Sequence, residues 1–168
     1  MQATERTLLT ALCAGAVLYA SEAPAALSNN LFVIARSVNG NVVRYDVRRK
    51  PGGTLDQDQP VDAYWIMAAG GREELTFLER QFAYGYSTSH VNAGGFSLNL
   101  MAFKEREIRI EFSQGLYRAR VSIASTPATL HQIFVKTAGA ASWPRVVYVE
   151  LRGTADNGSN VSERITGR

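Results

Sequence analysis

The chain has 168 residues, of which 46% are hydrophobic and 20% charged, with a net charge of +3 and one cysteine, Cys13. That length supports one domain with its own core. A lone cysteine excludes an intrachain disulfide, and a weak, interspersed positive charge without a basic stripe argues against a nucleic-acid partner.

Residues 1–25 read as a secretory signal. Arg6 precedes an apolar run from Leu8 to Tyr19 that is too short to span a bilayer, and Ala23-Pro24-Ala25 offers the small residues of a cleavage site. Cleavage is placed after Ala25; an uncleaved N-terminal anchor or a disordered tail is the alternative. Leu12 stands where lipidation of Cys13 needs a small residue. The reading therefore expects an exported protein, periplasmic or extracellular. After residue 25, 17 of the 18 Lys+Arg and 13 of the 15 Asp+Glu remain, a net charge of about +4, with no cysteine and no further segment long and apolar enough to cross a membrane.

From Leu31 the dominant period is two. Leu31 to Ser37 and Val42 to Arg48 read as strands joined by Asn39-Gly40, a pair suited to the positive φ angles of a tight hairpin. A two-residue loop there sets Ile34 opposite Tyr45 and Phe32 opposite Val47. It also puts Arg36 on the apolar face, opposite Val43, where it needs a partner. A polar loop runs from Lys50 to Asp62, and Ala63 to Ala68 is a short strand carrying Tyr64 and Trp65. The period then changes. Leu75, Leu78 and Phe82 stand at helical spacing and predict a helix over about 73–84, with Glu73 and Glu74 in its first turn and Gly85 as its C-terminal cap.

Strand patterns resume after Gly94-Gly95, through Phe96, Leu98 and Leu100. In the next hairpin Ile108, Ile110 and Phe112 turn at Gln114-Gly115 into Tyr117, Ala119, Val121 and Ile123. A two-residue turn pairs Phe112 with Tyr117, Ile110 with Ala119 and Glu111 with Arg118. It also sets Arg109 against Arg120, which needs flanking glutamates, water or an anion to relieve it. Leu130 to Thr137 and Arg145 to Arg152 complete about eight strands. The fold class is mainly β, an antiparallel barrel or sandwich with one short helix. The domain plan is a signal over 1–25, one β-rich domain over 26–153 and a polar tail over 154–168 that frays.

The succession N-G-N-V-V-R-Y-D (39–46), P-V-D-A-Y-W (60–65), E-R-Q-F-A-Y-G (79–85), G-G-F-S-L (94–98), I-F-V (133–135) and V-E-L-R-G (149–153) resembles the family catalogued as domain of unknown function 4833. The likeness covers nearly all of the chain after the signal, in order. It implies a small, often exported bacterial protein with one domain starting near Leu31, and it makes E-R-Q-F-A-Y-G a family feature. It implies no activity and carries over no catalytic residue.

Motifs for chemistry are absent. His90 and His131 are isolated and lack metal-ligand spacing. Asp56, Asp58 and Asp62 match only the first half of a calcium loop. There is no nucleophile elbow, no S-x-x-K and no phosphate-binding glycine loop. No cofactor is expected. Glu79, Glu150 and Asp46 are carboxylates from which a hydrolase pair could be drawn, although nothing in the sequence selects them.

Two readings of residues 78–86 stand side by side. In one, the helix plugs an open side of the sheet and Glu79 neutralises Arg36. In the other, Arg36, Tyr45, Trp65, Glu79 and Tyr84 line a partly apolar ligand pocket. The favoured function is a non-enzymatic exported β-barrel module binding a small apolar or anionic ligand. The alternatives are an interaction module that docks an envelope protein through Arg109, Arg118 and Arg120, and a carboxylate-based hydrolase.

Overall fold

The computed structural model describes residues 29–139 and 145–166; the signal and cleavage point expected over residues 1–25 lie outside them. Among the described residues there are eleven strands and one short helix, and the strands form a single, strongly curled half-barrel sheet. The chain is mainly β, as the period-two patterning predicts.

One wing runs β1 (Asn30–Arg36), β2 (Val42–Val47), β3 (Val61–Ile66) and β4 (Arg72–Glu74). The other runs β5 (Tyr86–Asn92), β6 (Gly95–Leu100), β7 (Phe103–Ser113) and β8 (Leu116–Ile123). Between them lies β9 (Thr126–Ala138). Its first half pairs antiparallel with β8, and its second half pairs parallel with β1 through Val33 to Arg36. Its opposite edge carries β10 (Arg145–Ala155) and then β11 (Asn160–Thr166). The alternating residues predicted to share a face do so: Phe32, Ile34, Val43, Tyr45 and Val47 are buried with Leu98, Ile108, Ile110, Ala119 and Ile123. No helix among the described residues is long and apolar enough to cross a membrane.

The β7–β8 hairpin has the predicted register, down to Phe112 opposite Tyr117 and Arg109 opposite Arg120. Gln114 (φ 54°) and Gly115 (φ 79°) adopt the two positive φ angles a tight primed turn requires. The repulsion between the facing arginines is relieved on one side. Arg120 donates to Asp156 at 2.6 Å and to Thr129 at 3.0 Å.

The β1–β2 register differs from expectation. Phe32 lies opposite Tyr45 and Ile34 opposite Val43, two positions from the predicted pairing, so Arg36 is not opposite Val43. The loop is longer because its turn residues serve the neighbouring strand connection. Asn41 Oδ1 accepts the Ala68 N–H at 3.0 Å, and Gly40 packs where a Cβ would press on Ala68. Neither Asn39 nor Gly40 takes the positive φ of a two-residue turn.

The C-terminal segment does not fray up to Thr166. It is β11, paired with β10 from Asn160 to Thr166. A single carboxylate adds a second tie, to β7 and the β8–β9 turn. Glu163 accepts two hydrogen bonds from Arg106 on β7, at 2.6 and 2.9 Å, and one from the Ala124 N–H at 2.7 Å. Ala124 (φ 48°) and Ser125 (φ 66°) form the β8–β9 turn without a glycine. That backbone costs energy in residues with a Cβ, and the hydrogen bond from Ala124 to Glu163 helps to hold it.

The bond from Arg106 pulls the Glu163 carboxyl below its ordinary value of 4.5; burial opposes this, and the Ala124 N–H adds to the lowering. A lowered folded value means that the contribution is present above the ordinary glutamate value and is lost as pH falls through the folded one. Glu163→Gln is therefore expected to cost roughly 1–2 kcal/mol at neutral pH and to flatten the acid limb of the stability curve. Urea melts of both proteins between pH 3 and 7 read this directly. Parallel acid limbs would show that Glu163 contributes no linkage.

Candidate functional site

The chain reaches the site through the segment after β4. Arg72, Glu73 and Glu74 pair with Ile66, Trp65 and Tyr64, so both glutamates belong to a strand and not to a helix. The helix itself, α1 (Phe77–Phe82), begins at Thr76 with a complete capping box. Thr76 Oγ1 accepts the Glu79 N–H at 3.3 Å, and Glu79 Oε2 accepts the Thr76 N–H at 2.9 Å. The T-x-x-E spacing over 76–79 is a start signal, and it outweighs the helical spacing that begins at Leu75. Leu75 is buried before the helix starts, whereas Leu78 and Phe82 are 64% and 66% exposed. The helix does not lay an apolar face on the sheet.

Gly85 is not the helix cap either. The cap is Ala83, at φ −123°, and Gly85 lies outside the left-handed region. Glycine is needed there for space, since a Cβ would collide with the Arg80 carbonyl oxygen. This close return drops Tyr84 and Tyr86 into the interior.

The five predicted site residues form one connected group. Tyr45 is fully buried, stacks on Phe32 with ring centroids 4.6 Å apart, and donates to the Tyr84 carbonyl at 2.6 Å. Burial raises the Tyr45 phenol far above its ordinary range, so it stays a donor. Tyr84 meets Trp65 edge-on at 5.1 Å. The Arg36 guanidinium lies 4.9 Å from the Trp65 ring centroid and 5.9 Å from that of Tyr84. Trp65 Nε1 donates to Glu79 Oε1 at 3.2 Å.

The predicted Arg36–Glu79 ion pair is absent. Glu79 is engaged by its own N-terminal cap and by the Trp65 indole, and the indole ring lies against Arg36. Among the described residues Arg36 has no carboxylate partner, and its Nε is buried without an acceptor. Burial raises the Tyr84 phenol, and the neighbouring Arg36 cation partly offsets this. The phenol remains protonated at neutral pH.

Arg36 and Tyr84 border a cavity of about 470 Å³ at one end of the half-barrel. Its other walls are mostly apolar, chiefly Leu100, Phe103, Ile133, Val135 and Val149, with Thr137 a further polar residue and Phe82 and Val146 toward solvent. Tyr45, Trp65 and Glu79 do not line it; they support the two residues that do. Sequence reasoning missed the β9 and β10 walls. Val135 and Val149 were legible as strand residues, but nothing in their spacing shows that β9 runs parallel beside β1.

Residues 32–164 match the family described as Domain of unknown function (DUF4833). The chain belongs to that family. Neither the curated proteins nor the solved structures contain a match. Membership of DUF4833 agrees with the resemblance carried by the six segments above and brings no activity with it.

The other candidates are held in separate places. Asp46 is bonded by Arg44, Tyr64 and Asn30, and Glu150 by Arg152 and Arg164, so neither shares the surroundings of Glu79. His90 sits in an irregular stretch of β5 at φ 55°, and His131 contacts Thr154. No cluster of three or more metal-ligating side chains occurs among the described residues.

Glu79→Ala removes both the capping reciprocity and the acceptor of the Trp65 indole. It is expected to lower stability by about 1–2 kcal/mol and to shift the emission of Trp65. Chemical denaturation with fluorescence detection measures both, and an unchanged midpoint would mean that the cap is energetically idle.

Proposed function

We propose that this protein is a non-enzymatic, exported module that binds a small apolar or anionic ligand. The observation that carries the reading is the cavity at the end of the half-barrel. Its volume falls in the range of small-molecule sites, and it combines apolar walls with very few polar groups, as such sites do. Arg36 and the Tyr84 phenol are the groups that would orient a ligand. The separate, individually satisfied carboxylates favour binding over hydrolysis. Docking on an envelope protein through Arg109, Arg118 and Arg120 gains less support. Arg120 is tied to Asp156, and Arg118 to Gln114.

Native mass spectrometry of the protein, purified gently from its own host, tests this. A discrete extra mass is expected, lost on denaturation and absent from Ala102→Trp, which fills the cavity from an exposed turn. A clean mass, together with no gain in fluorescence from an added hydrophobic dye, would overturn the reading.

A further inference from the structure

The chemistry of the cavity narrows the ligand class, on the premise that the cavity is a binding site. A guanidinium presents two faces and an edge. The faces of aromatic rings attract it, while its edge makes the directed hydrogen bonds. In this structure Trp65 and Tyr84 supply the ring contacts. Of that edge, Nε is buried without an acceptor, and the Tyr84 hydroxyl lies beside the guanidinium. Glu79, the carboxylate held beside Trp65, is already occupied by Thr76 and the indole. Arg36 borders the cavity, and a planar carboxylate is the acceptor that fits a guanidinium edge.

The remaining walls set two further limits. Among the described residues no second lysine or arginine lines the cavity, so these walls offer charge for one anionic group and not for two. Leu100, Ile133, Val135 and Val149 give the cavity a largely apolar lining, against which a polar body would lose its water without replacement.

We propose that the cavity takes a single-headed amphiphile, a hydrocarbon monocarboxylate whose acid group meets the Arg36 edge and whose chain lies along Leu100, Ile133, Val135 and Val149. The Tyr84 hydroxyl is the second donor within reach of the acid. Neutral alcohols of equal length lack the charge, and dicarboxylates leave one charge unpaired.

Trp65 provides the readout. The chain has two tryptophans, Trp65 and Trp143, so a Trp143→Phe background isolates the ring beneath Arg36. Decanoate and decanol are titrated against this protein, and Trp65 emission is followed alongside equilibrium dialysis. Decanoate is expected to bind saturably, at least about tenfold more tightly than decanol, as a charge-assisted hydrogen bond warrants. Arg36→Met is expected to erase that difference, and Arg36→Lys to keep part of it. Equal binding of acid and alcohol would overturn the carboxylate assignment while leaving the binding reading intact. Binding of neither would overturn both. The acid-to-alcohol ratio is measured with Arg36 in place, so the test does not depend on the Arg36 variants folding.

Discussion

Two tyrosine hydroxyls hold the curl of the sheet. Tyr45, on the first wing, donates to the Tyr84 carbonyl at the entrance to the second. Tyr86, on the second wing, donates to the Val61 carbonyl on the first at 2.7 Å. Each wing thus supplies a donor to the other's backbone, and the two rings meet edge-on between them, 6.2 Å apart. A phenol delivers a hydrogen bond at the far end of a large apolar ring, so one residue both fills the core and satisfies a distant carbonyl. Without these crossings the strands could form a flatter sheet, and the cavity end would have no second side.

The cavity follows from the same geometry. The interior between the wings is filled where the aromatic residues are large, around Tyr45, Phe32 and Tyr86. The cavity lies at the end lined by Ile34, Leu100, Ile133 and Val135, where the side chains are aliphatic and shorter. Arg36 is the last residue of β1 and emerges at that end. Its long side chain turns back onto Trp65, and this explains how a cation can sit on the apolar face of a strand without a carboxylate.

Local patterns were legible in the sequence, and long-range partnerships were not. Alternation at Ile108 to Phe112 and Tyr117 to Ile123, with a glycine at 115, determines a hairpin almost unaided, and its register was readable residue by residue. Arg36, Tyr45, Trp65, Glu79 and Tyr84 were recognisable as a group because each is a polar or aromatic residue near an apolar pattern. Their wiring was not recognisable. Whether Glu79 meets Arg36 or Trp65 depends on where α1 starts, and that is decided by Thr76, whose role competes with a misleading apolar spacing. The loop at Asn39-Gly40 shows the same limit, since a turn-forming pair was recruited to contact Ala68. The β8–β9 turn carries no glycine at all. It is held by Glu163, 39 residues beyond Ala124, and no local reading could have found it.

The parallel pairing of β1 with β9 has a kinetic consequence. The first strand joins residues far along the chain: Ser37 N–H donates to the Val135 carbonyl at 3.1 Å, and Thr137 N–H, 100 positions after Ser37, returns to Ser37 Oγ at the same distance. During synthesis β1 can form its hairpin with β2 early, but its other edge stays open until residue 135 has emerged. Contacts of such sequence separation are slow to close. The half-barrel is therefore completed only after most of the chain exists, and its first wing spends that interval with an unpaired edge.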